Sequence, residues 1–265
     1  MANRAFQPTR RELLMAGGLA CLAPAVLSGK AEAGGAPAVK NVVLVHGAFA
    51  DGTSWFKVIP QLLAKGLKVT SVGIPLTSFA DDVAATKRAI GTQEGPVLLV
   101  GHSYGGLVIT EAGNDPKVAG LVYVAAFAPD AGQTIPESAA NYPKPPGLQK
   151  LVQLPDGFII LSDEAVETDL AQDCTKDEKA LFIAVQRQTS GSVFGAKATA
   201  AAWKSKPNWY IVANNDRMIA PEQEKDMANK INARTTVLQS SHVPMLSKPQ
   251  EVAKVIEDAV EGLGK

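Results

Sequence analysis

Residues 97–113 read VLLVGHSYGGLVITEAG: a hydrophobic run, a serine between two glycines, then an amphipathic stretch. Read outward from Ser103, the run before it has the continuous apolar character of a buried strand, and the stretch from Gly105 has the spacing of a helix. Gly101-His102-Ser103-Tyr104-Gly105 therefore marks a strand-to-helix turn so tight that side chains at 101 and 105 would collide. Such a turn pushes the Ser103 hydroxyl out above the carboxyl edge of a sheet. The helix N-terminus behind it favours a developing anion there. A serine hydroxyl is a weak nucleophile at neutral pH, so the stretch carries chemistry only if the chain also supplies a base, an acid and an oxyanion site.

The rest of the chain repeats the strand–helix rhythm. NVVLV (41–45), KVTSV (68–72), PVLLV (96–100), VAGLVYVA (118–125), NWYIVA (208–213) and ARTTVL (233–238) read as strands. Amphipathic stretches at 55–65, 79–90, 105–112, 221–231 and 249–262 read as helices, with Pro221 and Pro249 suited to first turns. Alternation of this kind predicts an α/β fold with a doubly wound, mostly parallel sheet. Residues 129–200 break the rhythm. Their first part is rich in proline and glycine, 158–200 reads as short helices, and an insertion of this length predicts a cap over a site.

The base must come from His46, His102 or His242. His102 is aimed by the turn itself, away from Ser103. His46 follows the first strand. His242 follows the last one, in QSSHVPMLSKP, and the chain order nucleophile, acid, histidine selects it. The acid that holds the imidazole belongs after the preceding strand, where NWYIVANNDRMIAPE places Asp216; Asp130, after 118–125, is the alternative. Two backbone donors complete the oxyanion site: the amide of Tyr104 and that of Ala48 in the HGAF loop, with Phe49 as its neighbour.

Taken together, VLVHGAFADGTSW, GHSYGG, NNDRMIAPE and SHVPMLSKP resemble the α/β-hydrolase superfamily, in particular its small esterase and hydroxynitrile-lyase-like branch with a helical cap. The resemblance spans about 41–262. It implies an α/β-hydrolase fold with Ser103, Asp216 and His242 as nucleophile, acid and base, and Ala48 and Tyr104 as the oxyanion amides. Two departures bear on activity. Epoxide hydrolases and haloalkane dehalogenases carry aspartate at the elbow, where this chain has Ser103. Hydroxynitrile lyases of the branch carry threonine at the position of Gly47 and lysine at that of Val243. The expected activity is thus hydrolysis of a small or medium carboxylic ester through an acyl-enzyme. Lactone or amide hydrolysis, another small-molecule reaction, or ligand binding on the same scaffold stay open. Phe49, Phe127, Phe158, Phe182, Val185, Met218 and Val243 are the candidate pocket residues.

Composition bounds the rest. With 265 residues, 46% of them apolar, the chain can bury one large core, and residues 34–265 are expected to form one domain with the insertion at about 129–200. Net charge is zero and there is no long basic run, which excludes an electrostatic footprint for nucleic acid and points to a small-molecule partner. No metal-ligand cluster or Gly-rich dinucleotide motif appears, so no cofactor and no metal are implied. Nothing in the sequence sets an oligomeric state. Residues 1–33 read as an export signal. Arg4, Arg10 and Arg11 precede an apolar run to Leu27 and the small-residue site Ala31-Glu32-Ala33, and TRRELLM is twin-arginine-like. The run is too short and broken for a membrane span, and the expected destination is the periplasm or the medium. Cleavage there removes Cys21 and leaves Cys174 without an intramolecular disulfide partner.

Overall fold

The computed structural model describes residues 38–264; the export-signal reading over 1–33 lies outside the described residues. Strands β1 (Asn41–Val45), β2 (Lys68–Val72), β3 (Val97–Ser103) and β4 (Val118–Ala126) come first. β5 (Leu151–Gln153), β6 (Phe158–Leu161) and β7 (Thr189–Ser190) follow within the insertion, and β8 (Asn208–Ala213) and β9 (Arg234–Leu238) complete the set. The helices are α1 (Ile59–Ala64), α2 (Phe79–Gly91), α3 (Gly105–Ala112), α4 (Ile135–Ala139), α5 (Asp163–Ala165), α6 (Lys176–Val185), α7 (Pro221–Lys230), α8 (Pro244–Ser247) and α9 (Pro249–Leu263).

Six strands form one sheet in the order β2-β1-β3-β4-β8-β9, and every neighbouring pair is parallel. Right-handed crossovers put α1 on one face and α2, α3 and α7 on the other. In keeping with this, α1 packs on α9, and α2 on α3. The burial of the strands follows their composition. β1, β4 and β8 in the middle are almost entirely buried, whereas the edge strands β2 and β9 carry Lys68, Thr70, Arg234 and Thr235 and stay partly open. Every site-bearing loop leaves the carboxyl edge of this sheet, where open α/β sheets place their ligands.

Two local readings are corrected. The helix expected over 55–65 is a 3-10 turn at Gly52–Trp55, capped by Asp51, followed by the separate helix α1. Pro60 explains the break: it has no N–H for a helix arriving from Trp55, but it fits the first turn of one starting at Ile59. Within 158–200, α5 and α6 form as expected, but Phe158–Leu161 is a strand in a three-stranded antiparallel sheet, β5-β6-β7. FIIL favours a strand, and Leu154-Pro155-Asp156-Gly157 supplies the reversal, with Gly157 at φ 82°. The insertion is thus helical with a small sheet.

Candidate active site

Ser103 ends β3 with φ 52°, a left-handed backbone that a non-glycine residue adopts only under constraint. The constraint is visible on both sides. A Cβ on Gly101 would lie 2.6 Å from the Gly105 carbonyl oxygen, and one on Gly105 would lie 2.7 Å from that of His46. Only glycine at both positions lets the chain fold back this closely. The Ser103 carbonyl is held by the Phe127 amide at 3.1 Å.

His242 and Asp216, far apart in sequence, meet in the buried interior. His242 Nδ1 lies 2.5 Å from Asp216 Oδ2. The other carboxylate oxygen, Oδ1, accepts the Met218 amide at 2.6 Å and the Ile219 amide at 2.9 Å. A carboxylate at Nδ1 puts the neutral ring's proton there and leaves Nε2 as an acceptor. Ser103 and His242 line one cavity, and His242 is the only imidazole among the residues lining it. Among the described residues Ser103 Oγ makes no hydrogen bond. Asp130 is not brought to His242; it pairs with Lys204 and Lys230 at 3.4 and 3.3 Å.

The remaining histidines serve the scaffold. His46 Nε2 accepts the Ile74 amide at 3.2 Å, so Nδ1 carries the proton and donates to the Gly47 carbonyl at 2.9 Å. Burial lowers its pKa to about 4, which keeps it neutral and bracing its loop. His102 Nε2 lies 2.8 Å from the His242 carbonyl and donates to it, so the elbow itself anchors the loop that carries His242. Burial, then the neighbouring His242, push the His102 pKa well down.

The loop after β1 approaches the elbow so closely that a Cβ at Gly47 would lie 2.8 Å from Ser103 Cβ. The amides of Ala48 and Tyr104 donate to no other group among the described residues. That of Phe49 is taken by Thr189 Oγ1 at 3.0 Å, so of these two neighbouring loop amides Ala48 is the unengaged one. The Tyr104 ring is buried and its hydroxyl donates to Asp82 Oδ2 at 2.7 Å, pinning the residue after the serine.

The cavity holds about 340 Å³. Of the sequence-derived lining, Phe49, Phe127 and Met218 border it. The others do not. Phe158 is replaced by Ile159, because successive strand residues face opposite ways. Phe182 and Val185 line a separate small groove, and Val243 is fully buried in the core. Ile135, Leu148, Leu151, Leu170 and Phe194 of the insertion were missed. Period-two alternation in FIIL is the one signal that could have pointed to Ile159; the rest depend on how the insertion folds back. Lys144 and Gln223 are the polar side chains lining the cavity besides Ser103 and His242.

The insertion is also sewn to the loops after β1, β8 and β9. Gly147 donates to the Arg217 carbonyl at 3.0 Å, Gln172 to that of Asn215 at 2.7 Å, and Arg187 to that of Phe49 at 2.9 Å. Asp173 accepts the Ser241 amide at 2.8 Å. The fully buried Asp169 binds Lys150 Nζ at 2.8 Å and, at 2.6 Å, Nε of Arg217, the residue next to Asp216 in sequence. Burial pushes the Asp169 carboxyl up, but hydrogen bonds from Lys150, Arg217 and Thr168 outweigh it and hold the group below its ordinary value. A depressed folded pKa gives stability that is complete above the unfolded value of about 4 and is lost as pH falls through the folded one. Asp169→Asn is therefore expected to cost about 2 kcal/mol at pH 7, the loss for a buried pair discounted for its partly exposed partners. Thermal melts should show a drop of about 4–8 °C that closes below about pH 4.

The chain matches the alpha/beta hydrolase family over residues 42–255 and belongs to it. Its relatives include polyneuridine aldehyde esterase of Rauvolfia serpentina, 25% identical over 83% of this chain and 95% of that protein. Methylesterase 2 of Arabidopsis thaliana is 27% identical, over 80% and 92%. A pyrethroid hydrolase from Sphingobium faniae shares the fold with a TM-score of 0.73 at 22% identity, over 84% of this chain and 98% of that one.

Proposed function

We propose that this protein is a serine hydrolase that cleaves a small or medium carboxylic ester through an acyl-enzyme. The observation that carries the reading is the buried His242–Asp216 pair opening on the same cavity as the strained Ser103 elbow; the esterase names of the relatives support it. In this reading His242 Nε2 takes the Ser103 proton as Oγ attacks the ester carbonyl. The oxyanion rests on the Ala48 and Tyr104 amides, and the imidazolium, stabilised by Asp216, returns its proton to the leaving alcohol. Water repeats the sequence on the acyl-enzyme. Cyanohydrin cleavage is disfavoured: a threonine at 47 would crowd Ser103, and Val243, where a lysine would be needed, is buried away from the cavity.

The mostly apolar lining and modest volume suit a short or medium acyl or aryl group. With p-nitrophenyl acetate, butyrate and octanoate, kcat/KM is expected to be highest for the shorter chains and lowest for octanoate. Turnover of none of them, together with tight binding of an apolar ligand, would turn the reading to a binding protein. From residues 1–33 we also infer export of the folded chain. N-terminal sequencing of material from the periplasm or medium should then begin at about residue 34; a start before residue 31 would contradict it. Among the described residues no helix is long and apolar enough to cross a membrane.

A further inference from the structure

Glu224 lies near the start of α7, with its side chain wholly buried. Its Oε2 accepts the Ala213 amide at 2.9 Å, while Oε1 is buried without a donor. Ala213 opens the turn that carries Asp216, whose own amide donates to the Ala213 carbonyl at 3.1 Å, so the Glu224 carboxyl lies beside that of Asp216. Asp216 already receives two amides on Oδ1 and the imidazole on Oδ2. Two ionised carboxylates side by side have no proton to share, and no lysine or arginine pairs with Glu224 among the described residues. Arg217, beside Asp216 in the chain, is engaged by Asp169, and Lys230, at the end of α7, by Asp130. Among the described residues, Asp216 and Tyr210 oppose the charge of Glu224 and Lys225 favours it. Burial and the Asp216 charge push its carboxyl well above the ordinary range. One of two buried carboxyls lying side by side must keep a proton, and the one bonded to the imidazole and two amides is the better anion.

We propose that Glu224 is a neutral carboxylic acid whose Oε1–H donates to the Asp216 carboxylate, making it a positioning residue for the Asp216–His242 pair. The inference rests on Asp216 being the acid of the site. The proton gives the orphaned oxygen its partner and adds a further donor to Asp216. It also keeps the charge behind His242 at a single negative, so the imidazolium is stabilised without the extra basicity that a second anion would confer.

The test compares Glu224→Gln and Glu224→Leu with the wild-type chain and with Ser103→Ala. Glutamine mimics the neutral acid, its carbonyl accepting from Ala213 and its amide donating to Asp216. Its kcat is expected within about threefold of wild type, with the midpoint of the acid limb of the pH profile unmoved. Leucine removes the donor, and kcat should fall about tenfold or more with KM within about threefold. A fall of about half a pH unit or more in the acid-limb midpoint of Glu224→Gln would mean that a negative charge had been removed, and would overturn the proposal. So would full kcat in Glu224→Leu. Should the leucine variant fail to fold, infrared spectroscopy decides: wild type at neutral pH must show a protonated-carboxyl C=O band that Glu224→Gln lacks, and its absence would refute the neutral acid. That band does not depend on turnover. Activity surviving in Ser103→Ala would instead sink the serine mechanism and leave the protonation result standing.

Discussion

Ser103→Ala is expected to lower kcat for p-nitrophenyl butyrate on the order of 10⁵–10⁶-fold, with KM changed little. The attacking oxygen is gone, while the cavity and the Ala48 and Tyr104 amides remain, so binding and a residual electrostatic contribution survive. The variant should fold as well as wild type, because alanine at φ 52° is strained about as much as serine. Glycine is not strained there. Ser103→Gly should be equally inactive and yet more stable by about 1 kcal/mol, the strain the elbow stores. Opposite movement of activity and melting temperature at one position would show that the left-handed turn is maintained for the placement of Oγ and not for folding. Retention of more than about a tenth of wild-type kcat in the alanine variant would end the serine mechanism.

What the sequence revealed and what it hid divide along the range of the interactions. The parallel sheet was legible because a strand covered on both faces must be an unbroken apolar run, as in VVLV and VLLV, and because glycines at 101 and 105 have few uses other than a close approach. His242 and Asp216 were legible because each follows a strand in a topology whose strand ends converge. His102 could be read only negatively, as unfit to be the base, and His46 only as a brace of its own loop, with no partner named. Their bonds to Ile74 and to the His242 carbonyl join segments that no local pattern connects. The cavity wall was the least legible part. Phe182 and Val185 fall on another groove because the orientation of α6 is set by packing, and apolar character alone cannot say which apolar space a side chain fills. Glu224 was hidden for the opposite reason. In PEQEKDMANK it reads as one acidic residue among several on a solvated helix, and only its complete burial, with its carboxyl on the Ala213 amide, distinguishes it.

Asp216→Asn should cost about 10⁴-fold in kcat with the fold intact, and the local bonds say why. Oδ1 accepts two amides, from Met218 and Ile219, so the single oxygen of an asparagine is held on that side and its NH₂ is turned toward His242. An NH₂ facing Nδ1 requires that nitrogen to be the acceptor, which moves the ring proton to Nε2. The nitrogen that should take the Ser103 proton then already carries one. The loss is a tautomer effect, so it can be read without turnover. Nitrogen-15 spectra of the histidine rings should show His242 protonated at Nδ1 in wild type and at Nε2 in the variant. His46 supplies an internal reference with its proton on Nδ1, and His102 one with its proton on Nε2. If the variant kept the Nδ1 proton on His242 and still lost activity, Asp216 would act by charge alone; if it kept both, another residue would have to be the acid. Alanine at 216 separates these terms further. It removes the charge without imposing a tautomer, so a smaller loss than for asparagine would assign the difference to the ring proton alone.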